Sequence, residues 1–367
     1  MVTEQAVRER LKTVMDPELG RSVVELQMVD RIEVVGDRVR VAVKLTVSHC
    51  PLQARLKDDV TRALASLAGV GAVEVELGVM TPEEREQLAR RLRGRPEAGR
   101  SGVTRPDSPV RVLIVASGKG GVGKSTVTVN LAAALAGLGQ RVGVLDADIY
   151  GFSVPRMLGL HGNPTVLGEG IILPMDSSGL RVISMGSFVG EDTPVIWRGP
   201  MLAKALDQFL EDVAWGDIGY LLIDSPPGTG DVALSLSQRL PRARILLVTT
   251  PQAAAARVAG RVAQMAERTG QRLVGVVENM AFYECPDCGH RTEIFGQGGA
   301  EELARSAGSE VIGRLPLEPQ LSVDSDAGTP IVRAQPLSRT AKHFRDLADA
   351  VVASAAWTDK AAAQAAP

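Results

Sequence analysis

Cysteine is scarce in this chain: three among 367 residues, too few to staple a fold of this length. That excludes a disulfide framework, and thiols so sparse suit a reducing, cytoplasmic compartment where they serve metals or chemistry. An excess of charge of one sign is also missing. Lys and Arg number 41 against 43 Asp and Glu, a formal net charge of −2, which gives no broad attraction to nucleic acid or to a membrane surface. No apolar run approaches the roughly 20 residues a membrane-spanning helix needs. The opening MVTEQAVRERLKTVMD is charged and amphipathic, unlike a secretory signal. What is present, 45% apolar and 23% charged residues, is the composition of a globular protein with room for one large domain and a small one.

The pattern along the chain divides it. Residues 1–80 read as a small α-β-β-α-β unit: a helix capped by Thr3 with Val7, Leu11 and Val14 on its apolar face, a hairpin around Gly36-Asp37, a helix over about 51–67 and a strand over 72–77. A charged helix, Pro82 to Arg93, and the stretch GRPEAGRSGVTRPDSP make residues 81–109 a helix and flexible linker. From 110 to 354 the runs VRVLIVA, RVGVLDA, YLLIDS, RILLVTT and RLVGVVE alternate with helical stretches. Continuous apolar strands of this kind are buried on both faces, which predicts an α/β domain with a mostly parallel sheet flanked by helices. Residues 355–367, ending DKAAAQAAP, read as a disordered tail.

The start of the larger domain carries the clearest chemistry. Gly118, Lys119, Gly120, Gly121, Val122, Gly123, Lys124, Ser125 and Thr126 follow an apolar strand and open a helix. Their spacing is that of a phosphate-binding P-loop, in which backbone N–H groups curl around phosphate oxygens, a lysine reaches the β- and γ-phosphates and a hydroxyl holds Mg²⁺. Lys124 and Ser125 take those roles for ATP. Asp146 and Asp148 end the next strand, and Asp224 ends another before Ser-Pro-Pro-Gly-Thr-Gly-Asp. A carboxylate at such a strand end is a partner for Mg²⁺, and the stiff-then-permissive Pro-Pro-Gly run suits a switching loop.

A lysine early in the loop, an Asp-x-Asp and an Asp-x-Pro-Pro-Gly segment resemble the deviant Walker A ATPases, the group of the nitrogenase iron protein, MinD and ParA. The resemblance implies that Lys119 crosses a dimer interface to the partner's nucleotide. It also implies that Asp148 positions the attacking water, that Asp146 lies close to Mg²⁺ and that Asn279 contacts the base.

Cys285-Pro286-Asp287-Cys288-Gly289 is a C-x-x-C turn whose two sulfurs can point at one metal. Four strong ligands complete a zinc site or a cubane cluster, and one chain offers two nearby thiols. Two chains across a two-fold axis supply four, which suit zinc or [4Fe–4S] alike. The stretches DADIYGFSVPRMLG, TPVIWRGPMLAKALDQFL, DSPPGTGD and ENMAFYECPDCG…IFGQGG closely resemble the Mrp/ApbC (Nbp-type) iron–sulfur cluster carriers. That resemblance chooses the cluster. It implies a homodimeric ATPase that holds a labile [4Fe–4S] cluster and passes it to apo iron–sulfur proteins in concert with the assembly machinery, without nucleic-acid or membrane partners. Phe152 stands where such proteins usually carry proline, and Ser225 where they carry a hydrophobic residue. The small N-terminal unit, with Thr46-Val47-Ser48-His49-Cys50-Pro51, is similar to the SufT-like Fe–S assembly domain. Cys50, at a strand-to-helix junction, reads either as an accessory transfer thiol or as a packed cysteine.

Two other readings compete. A MinD- or ParA-like positioning ATPase would call for a basic amphipathic C-terminal helix or a basic surface, and the tail has no such helix. An ATPase dimer with a structural zinc would keep the nucleotide chemistry and lose the transfer role.

Overall fold

The computed structural model describes residues 2–17, 19–46, 53–93, 102–105, 107–149, 151–168, 170–188 and 199–358. Cys50, Trp197 of the W-R-G-P-M segment, residues 94–101 of the linker and residues 359–367 of the tail lie outside the described residues. The chain forms two compact units. One comprises Met1–Ser101 with Pro164–Pro174 and Asp212–Asp217; the other comprises the remainder.

In the first unit, helix α1 (Glu4–Leu11) starts where Thr3 Oγ1 accepts the Ala6 N–H at 3.2 Å, and it buries Val7 and Leu11. Strands β1 (Val29–Val35) and β2 (Arg38–Leu45) form the expected hairpin. Its turn places Gly36 at φ +66°, a conformation glycine adopts without steric cost. Helix α2 (Gln53–Ala65) leads to β3 (Ala72–Val79), which lies parallel to β2. The alternation along β2 puts Val39, Val41, Val43 and Leu45 into the core. Helix α3 (Pro82–Arg93) begins with a reciprocal pair: Thr81 Oγ1 accepts from the Glu84 N–H and Glu84 Oε2 accepts from the Thr81 N–H, a capping box.

The second unit begins with β4 (Arg111–Ser117), α4 (Lys124–Gly137), β5 (Val142–Asp146) and the short α5 (Val154–Met157). The antiparallel pair β6 (Thr165–Leu167) and β7 (Ile171–Leu173) comes next in the chain but belongs to the first unit. There Leu167, Ile171 and Leu173 join the core with Val7, Leu56 and Val41. The single 110–354 domain expected from the sequence therefore lends two segments to its neighbour. The second unit resumes with β8 (Met175–Ser177), β9 (Leu180–Ser184), α6 (Gly199–Glu211), β10 (Tyr220–Asp224), α7 (Asp231–Arg239), β11 (Arg244–Thr249) and α8 (Ala253–Arg268). It ends with β12 (Arg272–Glu284), β13 (Arg291–Thr292), α9 (Gly299–Ser306), β14 (Val311–Pro316), α10 (Pro319–Asp326), α11 (Ile331–Ala334) and α12 (Arg339–Ala353).

Its nine strands run in the order β13-β12-β11-β4-β10-β5-β9-β8, with β14 also paired to β12. The six pairings that join β14, β12, β11, β4, β10, β5 and β9 are parallel. The expected parallel sheet is therefore present, with β8, β9, β13 and β14 added to the five strands legible as apolar runs. Those four are short or interrupted by Gly313 and Pro316. Strand β4 sits between β10 and β11, so its chain neighbour β5 is one strand away. The crevice opened at such a crossover, outside the carboxyl ends of the strands, is where ligands of open α/β sheets bind. Helix α12 packs Phe344, Leu347 and Val351 into the core. Order continues past it: residues 355–357 make a 3₁₀ turn, and Trp357 Nε1 donates to the Val351 carbonyl at 2.7 Å. Residues 355–358, expected to begin the tail, are therefore part of the described structure. Among the described residues no helix is long and apolar enough to cross a membrane.

Candidate nucleotide site and cysteine hairpin

The loop between β4 and α4 is shaped by glycine. A Cβ on Gly118 would lie 2.3 Å from the Ala259 backbone nitrogen of α8. Gly123, the N-cap of α4, has φ +81°, and a Cβ there would lie 2.2 Å from Asn279 Nδ2. No side chain caps α4, so the first N–H groups of a 14-residue helix face the loop without an internal acceptor. Together with the positive end of the helix dipole they form a ready anion site. The cavity in front of them has a volume of about 690 Å³.

Four charged side chains meet behind and beside this cavity. Lys124 is 7% exposed, Asp148 9%, and Asp146 and Asp224 are fully buried. Parallel register sets Asp224 opposite Asp146. Asp224 Oδ2 lies 2.7 Å from Lys124 Nζ and accepts the Ser125 hydroxyl at 2.6 Å; Asp224 Oδ1 accepts from Thr128 Oγ1 at 2.8 Å. Lys124 Nζ is also 3.8 Å from Asp148 Oδ2. Asp146 is clasped by backbone: Oδ1 accepts from Asp148 N at 3.1 Å, and Oδ2 accepts from Val154 N at 3.3 Å and from Ser184 Oγ at 3.2 Å. Burial, and then the charge of Asp224, push the Asp146 carboxyl up to about 7, against the pull of the Asp148 N–H, Lys124 and the Val154 N–H. Three acidic side chains thus gather around the ammonium of Lys124 in a largely buried cluster. That imbalance fits a divalent cation, and the Ser125 hydroxyl, which donates to Asp224 and accepts from Lys124 Nζ at 3.3 Å, keeps one lone pair for such an ion.

The residues singled out in the sequence separate into two layers. Lys119, Gly120, Gly121, Gly123, Lys124, Ser125, Thr126 and Asp148 line the cavity, with Lys119 exposed. Asp146, Asp224 and Asn279 lie in the shell behind it, Asn279 through a 2.9 Å bond from Nδ2 to the Val122 carbonyl. The Pro-Pro-Gly loop closes another side with Pro226, Pro227, Gly230 and Asp231. It is tied to the P-loop strand where Gly228 N–H donates to the Ser117 carbonyl at 2.7 Å. Ser225 is fully buried, its hydroxyl 3.0 Å from the Val115 carbonyl, so a polar residue is satisfied where a hydrophobic one was expected. Phe152 covers Gly186, where a Cβ would lie 2.2 Å from the ring. Thr128 and Ser184, which complete the carboxylate shell, were not singled out. Thr128 could have been found as the position one helical turn after Lys124, on the same face.

The two cysteines occupy the turn that joins β12 to β13. Cys285 N–H donates to the His290 carbonyl and Gly289 N–H to the Cys285 carbonyl, both at 2.9 Å, with Gly289 at φ +70°. Cys285 is half-buried and Cys288 exposed. Backbone N–H groups of Cys288 and Asp287, and then the Cys288 side chain, hold the Cys285 thiol below its usual range against a burial effect of opposite sign. Sulfur that accepts backbone N–H bonds is prepared to bind metal as thiolate. Among the described residues no third Cys, His, Asp or Glu side chain joins Cys285 and Cys288 in a metal-holding group. At the foot of the hairpin Glu284 pairs with Arg291 at 2.9 Å and with Arg339 of α12.

Residues 109–352 match the family described as NUBPL iron-transfer P-loop NTPase, and residues 4–77 match the iron–sulfur cluster assembly protein family. The chain is 49% identical over 351 residues to the iron–sulfur cluster carrier protein of Mycobacterium tuberculosis, covering 94% of this chain and 92% of that protein. It is 42% identical over 334 residues to the protein of the same name from Bacillus subtilis, covering 90% and 93%. Among solved structures, the nucleotide-binding protein of Archaeoglobus fulgidus in complex with ADP superposes with a TM-score of 0.52 at 42% identity, covering 59% of this chain and 86% of that one. The septum site-determining protein MinD of Pyrococcus horikoshii, complexed with Mg-ADP, superposes with a TM-score of 0.50 at 22% identity, covering 66% and 96%; that likeness is one of fold.

Proposed function

The chain belongs to the NUBPL-type iron-transfer P-loop NTPase family, and from that premise we propose how it works as an iron–sulfur cluster carrier. Two copies bind one cluster between them, each supplying Cys285 and Cys288, and nucleotide turnover governs its release to apoproteins in the cytoplasm. The observation that carries this reading is the hairpin itself. It presents two thiols on one accessible turn, with no third ligand nearby among the described residues. A [4Fe–4S] cubane takes four thiolates, and a two-fold axis through the hairpins provides them. The positioning-ATPase alternative is disfavoured, because the relatives that match this chain nearly end to end carry the carrier name.

For nucleotide, the α4 N-terminus and the loop N–H groups receive the phosphates and Lys124 neutralises them. Ser125, backed by Asp224, holds Mg²⁺, which supplies charge neutralisation at the phosphate oxygens. Asp148 reaches the cavity from the β5 end, where its carboxylate orients water for ATP hydrolysis. Asp146 fixes the Asp148 backbone from beneath. Lys119, exposed beside the same cavity, serves the nucleotide of the partner copy. Small-domain residues 1–80 dock the machinery that loads the cluster, with Cys50 as an accessory thiol.

The test is Lys124→Ala in a two-step assay. The variant is expected to load the cluster as the wild type does but to transfer it to an apoprotein at least about tenfold more slowly, as loss of phosphate neutralisation demands. Transfer at the wild-type rate contradicts the nucleotide-governed cycle.

A further inference from the structure

One strand joins the two sites. Asn279 touches the P-loop, and Cys285 comes six positions later along and just beyond β12. We propose that the Asn279–Met280 bulge in this strand is the positioning element through which nucleotide occupancy changes the exposure of Cys285 and Cys288. The inference deepens the carrier reading and rests on it.

Three observations place the element there. First, Asn279 tracks the loop closely: its amide donates to the Val122 carbonyl at 2.9 Å, and the space beside Gly123 is so tight that a single added carbon would meet that amide at 2.2 Å. Displacement of the 122–123 peptide by a bound phosphate therefore reaches Asn279 directly. Second, Met280 has φ +55°. The other described non-glycine residues with positive φ, Gln27 and Ser178, lie in turns, whereas Met280 lies inside a strand. A long side chain in that region is held there by its surroundings. Third, the ladder slips at this point. Glu278 pairs with Arg314 and Phe282 with Pro316, four steps on β12 against two on β14. A bulge bends its strand and re-aims the residues beyond it.

On either side the strand is fixed differently. Behind the bulge, Glu278 is buried and accepts from Ala300 N at 3.4 Å and Arg314 Nε at 3.3 Å. Beyond it, one backbone bond, from Leu317 N to the Phe282 carbonyl at 2.7 Å, restarts the ladder. Phe282 is buried and packs on His343 of α12 with ring centroids 5.8 Å apart; past it the hairpin reaches α12 through the ion pair of Glu284 with the exposed Arg339, while Glu284 also pairs with Arg291 inside the hairpin, contacts that can swing with the strand. A shift at Asn279 is taken up at Met280 and passes to the turn as a change of tilt. The backbone conformation at Met280, rather than its side chain, is what transmits.

The experiment uses the full-length, cluster-free, reduced chain. Alkylation by iodoacetamide is monitored by mass spectrometry on the peptide bearing Cys285 and Cys288, with and without a saturating non-hydrolysable ATP analogue and Mg²⁺. In the wild type the rate changes by about threefold or more, the response of a two-state element to a ligand that favours one state. Met280→Ala keeps the constrained backbone and keeps that ratio. Met280→Gly frees the backbone and brings the ratio close to one, with nucleotide affinity within about twofold of wild type. Met280→Asn, tolerant of the same region, falls between. A wild-type ratio of one, an unchanged ratio in Met280→Gly, or equal loss in Met280→Ala overturns the proposal. Cluster reconstitution on the same wild-type preparation reports on the carrier reading independently of these outcomes.

Discussion

At the nucleotide site, Lys124 comes from the start of α4 and Asp146, Asp148 and Asp224 from the ends of β5 and β10 or just beyond, and each is at most 9% exposed. Every described carboxylate oxygen of Asp224 and Asp146 has a donor within 3.3 Å. At the cysteine hairpin, both functional groups come from one turn of contiguous residues, one half-buried and the other exposed. The carboxylate shell of the first site is finished by the fold of a single chain and its geometry is over-determined. The second offers two thiols, half of the four that the proposed cluster takes. A carrier needs this asymmetry, since a cargo held as tightly as the nucleotide shell is held could not be passed on.

The two sites make unequal demands on stability, and Asp146 should have the greatest effect. Its carboxyl is raised from 3.8 to about 7 in the folded chain, so the folded state holds a proton that the unfolded state has lost between those values. Stability from this group is complete below about pH 4 and is lost as pH rises through about 7. Denaturant titrations of the nucleotide-free protein should show a loss of about 2–3 kcal/mol between about pH 5 and 7. Asp146→Asn should flatten that slope, and saturating Mg-nucleotide should lessen it in the wild type. An unchanged slope in Asp146→Asn would place the titration elsewhere. Thr128→Val comes next: it removes one donor from the buried Asp224 Oδ1 and should cost about 1–2 kcal/mol. A cost near zero would show that the shell is less tightly specified than its distances imply.

How much of this was legible before folding depends on whether a feature is local. The P-loop could be read outright, because a contiguous motif between an apolar strand and a helix has one physical meaning. Asp146, Asp148 and Asp224 could be read because parallel strands end in a common crevice. Ser184 could not, since it reaches Asp146 from β9, a five-residue strand with no periodic signal. The capture of Leu167, Ile171 and Leu173 by the first unit's core was equally hidden. An apolar run states that it will be buried and not against what. The bulge at Met280 lay inside a run that reads simply as strand; only register with β14 exposes it. The cysteine pair could be read as a candidate metal turn, while the identity of the metal could not, because four thiolates serve zinc and iron alike.

The most direct test of the central claim is anaerobic reconstitution with iron and sulfide of the wild type and of Cys285→Ala/Cys288→Ala, recording the visible spectrum, iron per chain and solution mass. The account predicts a brown dimer with about one four-iron cluster per two chains. It also predicts a colourless double variant whose stability differs from wild type by less than about 0.5 kcal/mol, as for surface positions. A colourless wild type that takes up zinc, or a cluster retained in the double variant, would contradict it.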